Sequence, residues 1–152
     1  MSPRWFPTLL ILTMLLVRSA QAGVRDSLKV TVDGLRSTRD QVCLSLYDKP
    51  ETFLMQPKLS LRTQCVKIIK TPMQVTFKNL APGNYAIAAL HDTNGTGKVE
   101  RNFMGMPMEG FGFSRNPVVT MKAPKFDQAA VKVDGANTTL AIQMKYLPGA
   151  KS

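Results

Sequence analysis

Hydrophobic and polar residues alternate with a period of two along most of the chain. Leu28, Val30 and Val32 alternate with polar neighbours, as do Val42, Leu44 and Leu46, then Val66 and Ile68, then Val75 and Phe77. Side chains on a strand point to opposite faces in turn, so each run predicts a half-buried β-strand. Tyr85 to Leu90 is apolar at every position, which predicts a central strand covered on both faces. Val118 to Met121, Ala129 to Val133, and Leu140, Ile142 and Met144 close the series. Seven or eight short strands separated by Gly, Pro, Asn and Asp predict an all-β fold, a single two-sheet antiparallel β-sandwich of immunoglobulin-like or prealbumin-like type. The one helix-like stretch, residues 50–61, is broken by Pro57 and reads as a crossover loop with one turn of helix.

The run from Phe77 to Tyr85 carries turn chemistry. Pro82 presets φ and Gly83 supplies the positive φ of a type II turn, which would link two strands. Tyr85 enters the next strand with a ring to bury and a hydroxyl that returns to nearby backbone, as in a tyrosine corner.

The first 22 residues depart from this pattern. Arg4, an apolar run from Leu9 to Val17 and the Ala20-Gln21-Ala22 site have the three parts of a secretory signal, so the mature chain is expected to begin near Gly23. The apolar run is about half the roughly 20 residues that a membrane span needs, and Arg18 follows it. No cysteine lies near the cleavage site to carry a lipid, and no later stretch is apolar enough to cross a bilayer. The expectation is an exported, periplasmic or extracellular protein whose residues 23–152 form one domain. In that oxidising compartment Cys43 and Cys65 are expected to form a disulfide, since their spacing is far from C-x-x-C and no histidine lies near them in sequence. Closing such a loop stabilises a fold by about 3 kcal/mol in the chain-entropy model.

The net charge is +10, but Lys and Arg are spread along the chain without a run. That distribution argues against a nucleic-acid stripe and leaves either a solvated basic surface or salt-sensitive attraction to an anionic envelope surface.

Residues 91–114 combine a polar turn with a Gly-rich apolar loop. His91-Asp92-x-Asn94-Gly95-x-Gly97-Lys98, followed by Asn102-Phe103-x-Gly105-x-Pro107-x-Glu109-Gly110-Phe111-Gly112-Phe113-Ser114, is similar to the exported bacterial family catalogued as domain of unknown function 2141 (DUF2141). Pro124, Phe126 and Ala129-Ala130 fit the later part of that family's pattern, and the Phe-x-Asn-Leu-x-Pro-Gly-x-Tyr run resembles the turn of prealbumin-like and collagen-binding-B-type sandwiches. The resemblance covers nearly all of the mature chain. It implies a fold and carries no activity with it.

Two metal chemistries compete here with a structural turn. Asp92, Asn94 and Thr96 alternate before Gly97 like the front half of a calcium loop, with Glu100 as the nearest replacement for the missing bidentate glutamate, so any Ca²⁺ would bind weakly. An Asx turn ending the preceding strand explains the same residues without metal. Met104, Met106 and Met108, with His91 as a fourth ligand, offer a soft site for Cu(I); the same methionines also suit apolar packing. No resident cofactor is expected.

Catalysis is not expected either. His91 is the only histidine, and adjacent strand residues face opposite sides, which separates it from Asp92. Asp92, Glu100 and Glu109 have no fixed separation for paired-carboxylate chemistry, and Trp5 leaves with the signal, so no tryptophan remains to stack on a sugar. The sequence points to a binding or interaction module of the cell envelope that meets a protein, glycan or anionic surface through Phe103, Glu109, Phe111 and Phe113. The alternative is a small metal-binding protein using residues 91–108.

Overall fold

The computed structural model describes residue 1 and residues 25–120, 122–135 and 137–152. The expected secretory signal, residues 1–22, and its expected cleavage site lie outside the described residues apart from Met1. Among the described residues, eight strands form two sheets. The smaller sheet holds β4 (Met73–Leu80), β1 (Asp26–Asp33) and β8 (Thr138–Gln143) in that order. The larger has the order β3 (Arg62–Lys67), β2 (Gln41–Tyr47), β5 (Gly83–Asp92) and β6 (Gly110–Phe113), and β7 (Val131–Val133) also pairs with β5. The pairing is antiparallel except between β1 and β8, which run parallel from Leu28 opposite Thr138 to Asp33 opposite Gln143. Two strands so far apart in sequence need no hairpin, which leaves their direction free.

The core lies between the sheets and contains the inward residues of the alternating runs: Leu28, Val30 and Val32 of β1, Val42, Leu44 and Leu46 of β2, and Phe77 and Ile87. Cys43 and Cys65 face each other across β2 and β3 and form the disulfide, with Cα atoms 4.0 Å apart.

The turn before Tyr85 differs from the expected one. Gly83 lies outside the left-handed region; Asn79, at φ 59°, occupies it instead. β4 and β5 belong to different sheets, so the chain arches between layers rather than reversing within one ladder. The Tyr85 hydroxyl donates to the carbonyl of Ala81 at 2.7 Å and secures this arch, as a tyrosine corner should.

Three other segments depart from the periodicity. Residues 117–120 form no strand; they run over the outside of the larger sheet, where Val118 is exposed. Ala129 ends a one-turn helix, α1 (Phe126–Ala129), so the predicted strand begins only at Val131. Residues 50–61, expected as a crossover, instead lie in the long hairpin loop that joins β2 to its antiparallel neighbour β3, with a 3-10 turn at Pro57–Leu59.

β6 was not foreseen as a strand. Its glycines face inward: a Cβ on Gly112 would lie 2.5 Å from Ile142 Cγ2 and 3.1 Å from the carbonyl oxygen of Gln143, and one on Gly110 would enter the Tyr146 ring. Phe111 exchanges backbone hydrogen bonds with Lys145 at 2.9 and 2.7 Å, which joins β6 to the chain leaving β8. Ser114 then splices β6 to β7 along β5. Its Oγ accepts from the Ile87 N–H at 2.8 Å and donates to the Ala129 carbonyl at 2.5 Å.

Gly112→Ala should lower the unfolding free energy by about 1–3 kcal/mol through overpacking against Ile142, measured by urea denaturation. Gly110→Ala should be at least as costly, because the ring of Tyr146 sits where its methyl group would go.

Candidate functional site

The larger sheet is covered on both faces. Its outward side chains form rows across the strands. In one, Cys65, Cys43, Leu90 and Phe111 are neighbours; in the next, Thr63, Ser45, Ala88 and Phe113. Tyr47 and Ala86 are opposite each other in a third.

Ser45 and Ala88 are the small members of the middle row, so the face dips between them and the larger Phe113. At one end Tyr47, Phe53, Ala86, Phe126 and Ala129 make a second apolar cluster, with Phe53 edge-on to Tyr47 at 5.4 Å and to Phe126 at 5.8 Å. Above the dip, the segment from Gly97 to Pro107 and the residues Val119, Thr120, Lys122 and Ala123 form walls. Together they enclose a groove of about 240 Å³. Its lining is mainly apolar, including Leu54, Leu90, Val99 and Met106, and its charged members are Arg101 and Lys122.

The wall from Val99 to Met108 is a short hairpin. Arg101 bridges Pro107, Asn102 N–H donates to Met106 O at 3.0 Å, and Gly105 N–H donates to Asn102 O at 2.9 Å. The Asn102 side-chain oxygen accepts from the Met104 and Met106 N–H groups, both at 3.0 Å, which fixes the tip. Phe103, 98% exposed, and Met104 stand out from that tip.

Two buried carboxylates hold the preceding loop. Asp92 Oδ2 accepts from Gln41 Nε2 and Gly97 N–H, each at 2.7 Å, and Oδ1 accepts from Thr96 N–H at 3.1 Å. Gly97, at φ 65°, adopts the left-handed turn that returns its N–H to this carboxylate. Burial pushes the Asp92 carboxyl up, but the donors Gln41, Gly97, Thr96 and Asn94 outweigh it and hold the group below the ordinary range. Cys43 Sγ lies 3.8 Å from Oδ2; as a disulfide sulfur it has no proton to give.

Glu109 is fully buried and accepts from the Thr93 N–H at 3.0 Å, the Thr93 hydroxyl at 3.1 Å and the Glu100 N–H at 3.3 Å. Its place in the expected partner-contact set is therefore corrected, because a carboxylate engaged by these donors is withdrawn from any partner. Phe111 is also buried, with 8% exposure, whereas Phe113 is half-buried; both line the groove.

The four candidate calcium ligands share one loop but bond to it and to one another. Asn94 Nδ2 donates to Glu100 Oε1, Thr96 Oγ1 donates to Lys98 O at 3.3 Å, and Glu100 Oε2 pairs with Lys151 at 2.8 Å. Among the described residues, no group of three or more His, Cys, Asp or Glu side chains is placed to hold a metal ion.

The methionines are distributed along the hairpin: Met104 is exposed at the tip, Met106 lines the groove, and the Met108 N–H donates to Glu100 O at 2.8 Å. His91 is buried on the core side, with Nε2 3.2 Å from the Arg39 carbonyl and Nδ1 2.7 Å from the Tyr146 hydroxyl. A carbonyl only accepts, so Nε2 carries a proton, and in the neutral ring Nδ1 accepts from Tyr146. Burial pushes the Tyr146 phenol up, against the effect of Arg36, which keeps the donor protonated. The Arg36 guanidinium lies 4.4 Å from the centre of the Tyr146 ring.

Sequence patterning did not single out Ser45, Ala88, Arg101 or Lys122. The available signal was the two-sided apolar run from Tyr85 to Leu90, which requires something to cover the outer face.

Two outcomes test these assignments. Tyr146→Phe should cost about 1–3 kcal/mol in urea denaturation, because it leaves Nδ1 of the buried His91 without a donor. Asp92→Asn should cost about 1.5–3 kcal/mol at neutral pH. The folded-state pKa of Asp92 is depressed, so its contribution is complete above the ordinary carboxylate value of 3.8 and is lost as pH falls through the lower folded value. The stability gap between wild type and Asp92→Asn should therefore close in acid; a gap independent of pH would exclude the ionised carboxylate as its source.

No curated protein and no solved structure matches this chain. A family model does, over residues 30–141, a span from β1 into β8 that includes the lining of the outer-face groove except Leu147; the chain belongs to DUF2141, the family described as an uncharacterized protein conserved in bacteria.

Proposed function

We propose that the protein is an exported, non-catalytic binding module whose binding site is the groove on the outer face of the larger sheet. One observation carries this reading: a concave, mostly apolar space with a few polar groups at its edge, floored by small residues on a rigid sheet, has the form of a small-molecule site. The signal-like composition of residues 1–22 and the Cys43–Cys65 pair favour an oxidising compartment outside the cytoplasm. The basic net charge favours weak contact with an anionic envelope surface. Among the described residues, no helix is long and apolar enough to cross a membrane. A metal-binding role receives less support, since oxygens of Asp92, Asn94 and Glu100 already have partners within the loop, and Glu100 also pairs with Lys151.

Titration with N-phenylnaphthylamine, a neutral apolar fluorophore, tests the groove. Saturable enhancement should weaken about tenfold or more in Ala88→Phe, whose ring fills the dip, and in Val99→Glu at the wall, with thermal melting as the check on folding. Phe103→Ser at the exposed tip should leave binding unchanged. If Phe103→Ser removes the signal and Ala88→Phe does not, the probe reads the tip and the groove is not the site.

A further inference from the structure

We infer that the occupant of the groove is a free, single-chain amphipathic anion, such as a medium-chain carboxylate, with its head at Arg101 and Lys122 and its chain over Ala88 and Phe113. This rests on the groove being the binding site. Charge, size and surroundings select the ligand class.

Among the described residues, the charged side chains of the lining are Arg101 and Lys122, and no Asp or Glu accompanies them. The neighbouring acids are engaged elsewhere. Glu109 and Asp92 are buried and accept from backbone N–H groups, while Glu100 pairs with Lys151. Among the described residues the ion pairs are Lys132–Asp134 and Lys151–Glu100, so neither cation of the groove is neutralised by a carboxylate. Arg101 is also oriented. One Nη1 hydrogen bond to Gly105 O, at 2.9 Å, ties it to its own hairpin and leaves its remaining donors for an anion. A guanidinium matches carboxylate or phosphate oxygens in a planar pair, and an ammonium on the same lining adds charge without demanding geometry.

Size restricts the apolar part. A space of about 240 Å³ is smaller than the roughly 300–1,000 Å³ of sites for drug-sized ligands. It holds one chain or ring. That volume favours one chain over a two-chain lipid or a peptide segment. The floor is also chemically suited to a chain: Ala88, Leu90 and Phe113 offer carbon surface, and the hydroxyl of Ser45 is already 3.1 Å from that of Thr63.

Competition against bound N-phenylnaphthylamine with dodecanoate, dodecanol and dodecylamine, which share one chain length, tests the assignment. Dodecanoate should displace the probe most strongly and dodecylamine least. Arg101→Gln and Lys122→Gln should each weaken dodecanoate about threefold to tenfold and leave dodecanol unchanged. Raising salt should weaken dodecanoate selectively. Equal displacement by all three compounds, unaffected by either substitution, would retain the groove as an apolar site and overturn the anionic ligand. Failure of the probe itself to bind would overturn both. Anionic vesicles, if they compete where monomeric dodecanoate does not, would assign the cations to a membrane surface instead.

Discussion

The outer half of the molecule depends on how closely β6 approaches β8. A strand with ordinary side chains at 110 and 112 would be held away by Tyr146 and Ile142, and Phe111 could not exchange hydrogen bonds with Lys145. Removing both Cβ atoms lets the two layers touch at this edge. Strand alternation then turns Phe111 and Phe113 outward, where they flank Leu90 and Ala88. One steric allowance thus closes the sandwich edge and builds a side of the groove.

The polar turn after β5 serves the same arrangement. Asp92 and Glu109 sit at opposite ends of residues 92–109 and draw the intervening backbone inward through N–H donors on Thr93, Thr96, Gly97 and Glu100. Buried carboxylates are costly unless their lone pairs are filled, and backbone donors fill them here. The hairpin that walls the groove therefore begins from a fixed base. The loop is organised around its own amides, as an Asx turn is, and the groove beside it takes its charge from Arg101 and Lys122.

Much of the scaffold was legible in the sequence because it rests on local rules. Alternation identified β1, β2, β4 and β8, and the two-sided apolar run identified β5 as central. The Cys43–Cys65 pair and the Tyr85 corner also followed from residue type and spacing. Other features were misread for identifiable reasons. Gly-Phe-Gly-Phe looks like a loop because glycine weakens a strand, and its reason for being there is Ile142, some 30 residues later. Val118 to Thr120 have strand composition but lie across an outer face, where apolar residues serve as cover rather than as a ladder. Gly83 follows proline as in a type II turn, yet the crossing between sheets puts the left-handed residue at Asn79.

What the sequence determined by itself was the layered all-β scaffold, the inward face of each alternating strand, the cystine and the likeness to DUF2141. Period-two patterning is a local code, and burial of one face is enough to enforce it. Tertiary structure alone decided which outward residues meet: Ser45 beside Ala88, Phe113 beyond them, and Arg101 carried by its hairpin to the same groove as Lys122. Those contacts depend on strand order, on register and on the close approach at Gly112, none of which is written in the periodicity of any one segment.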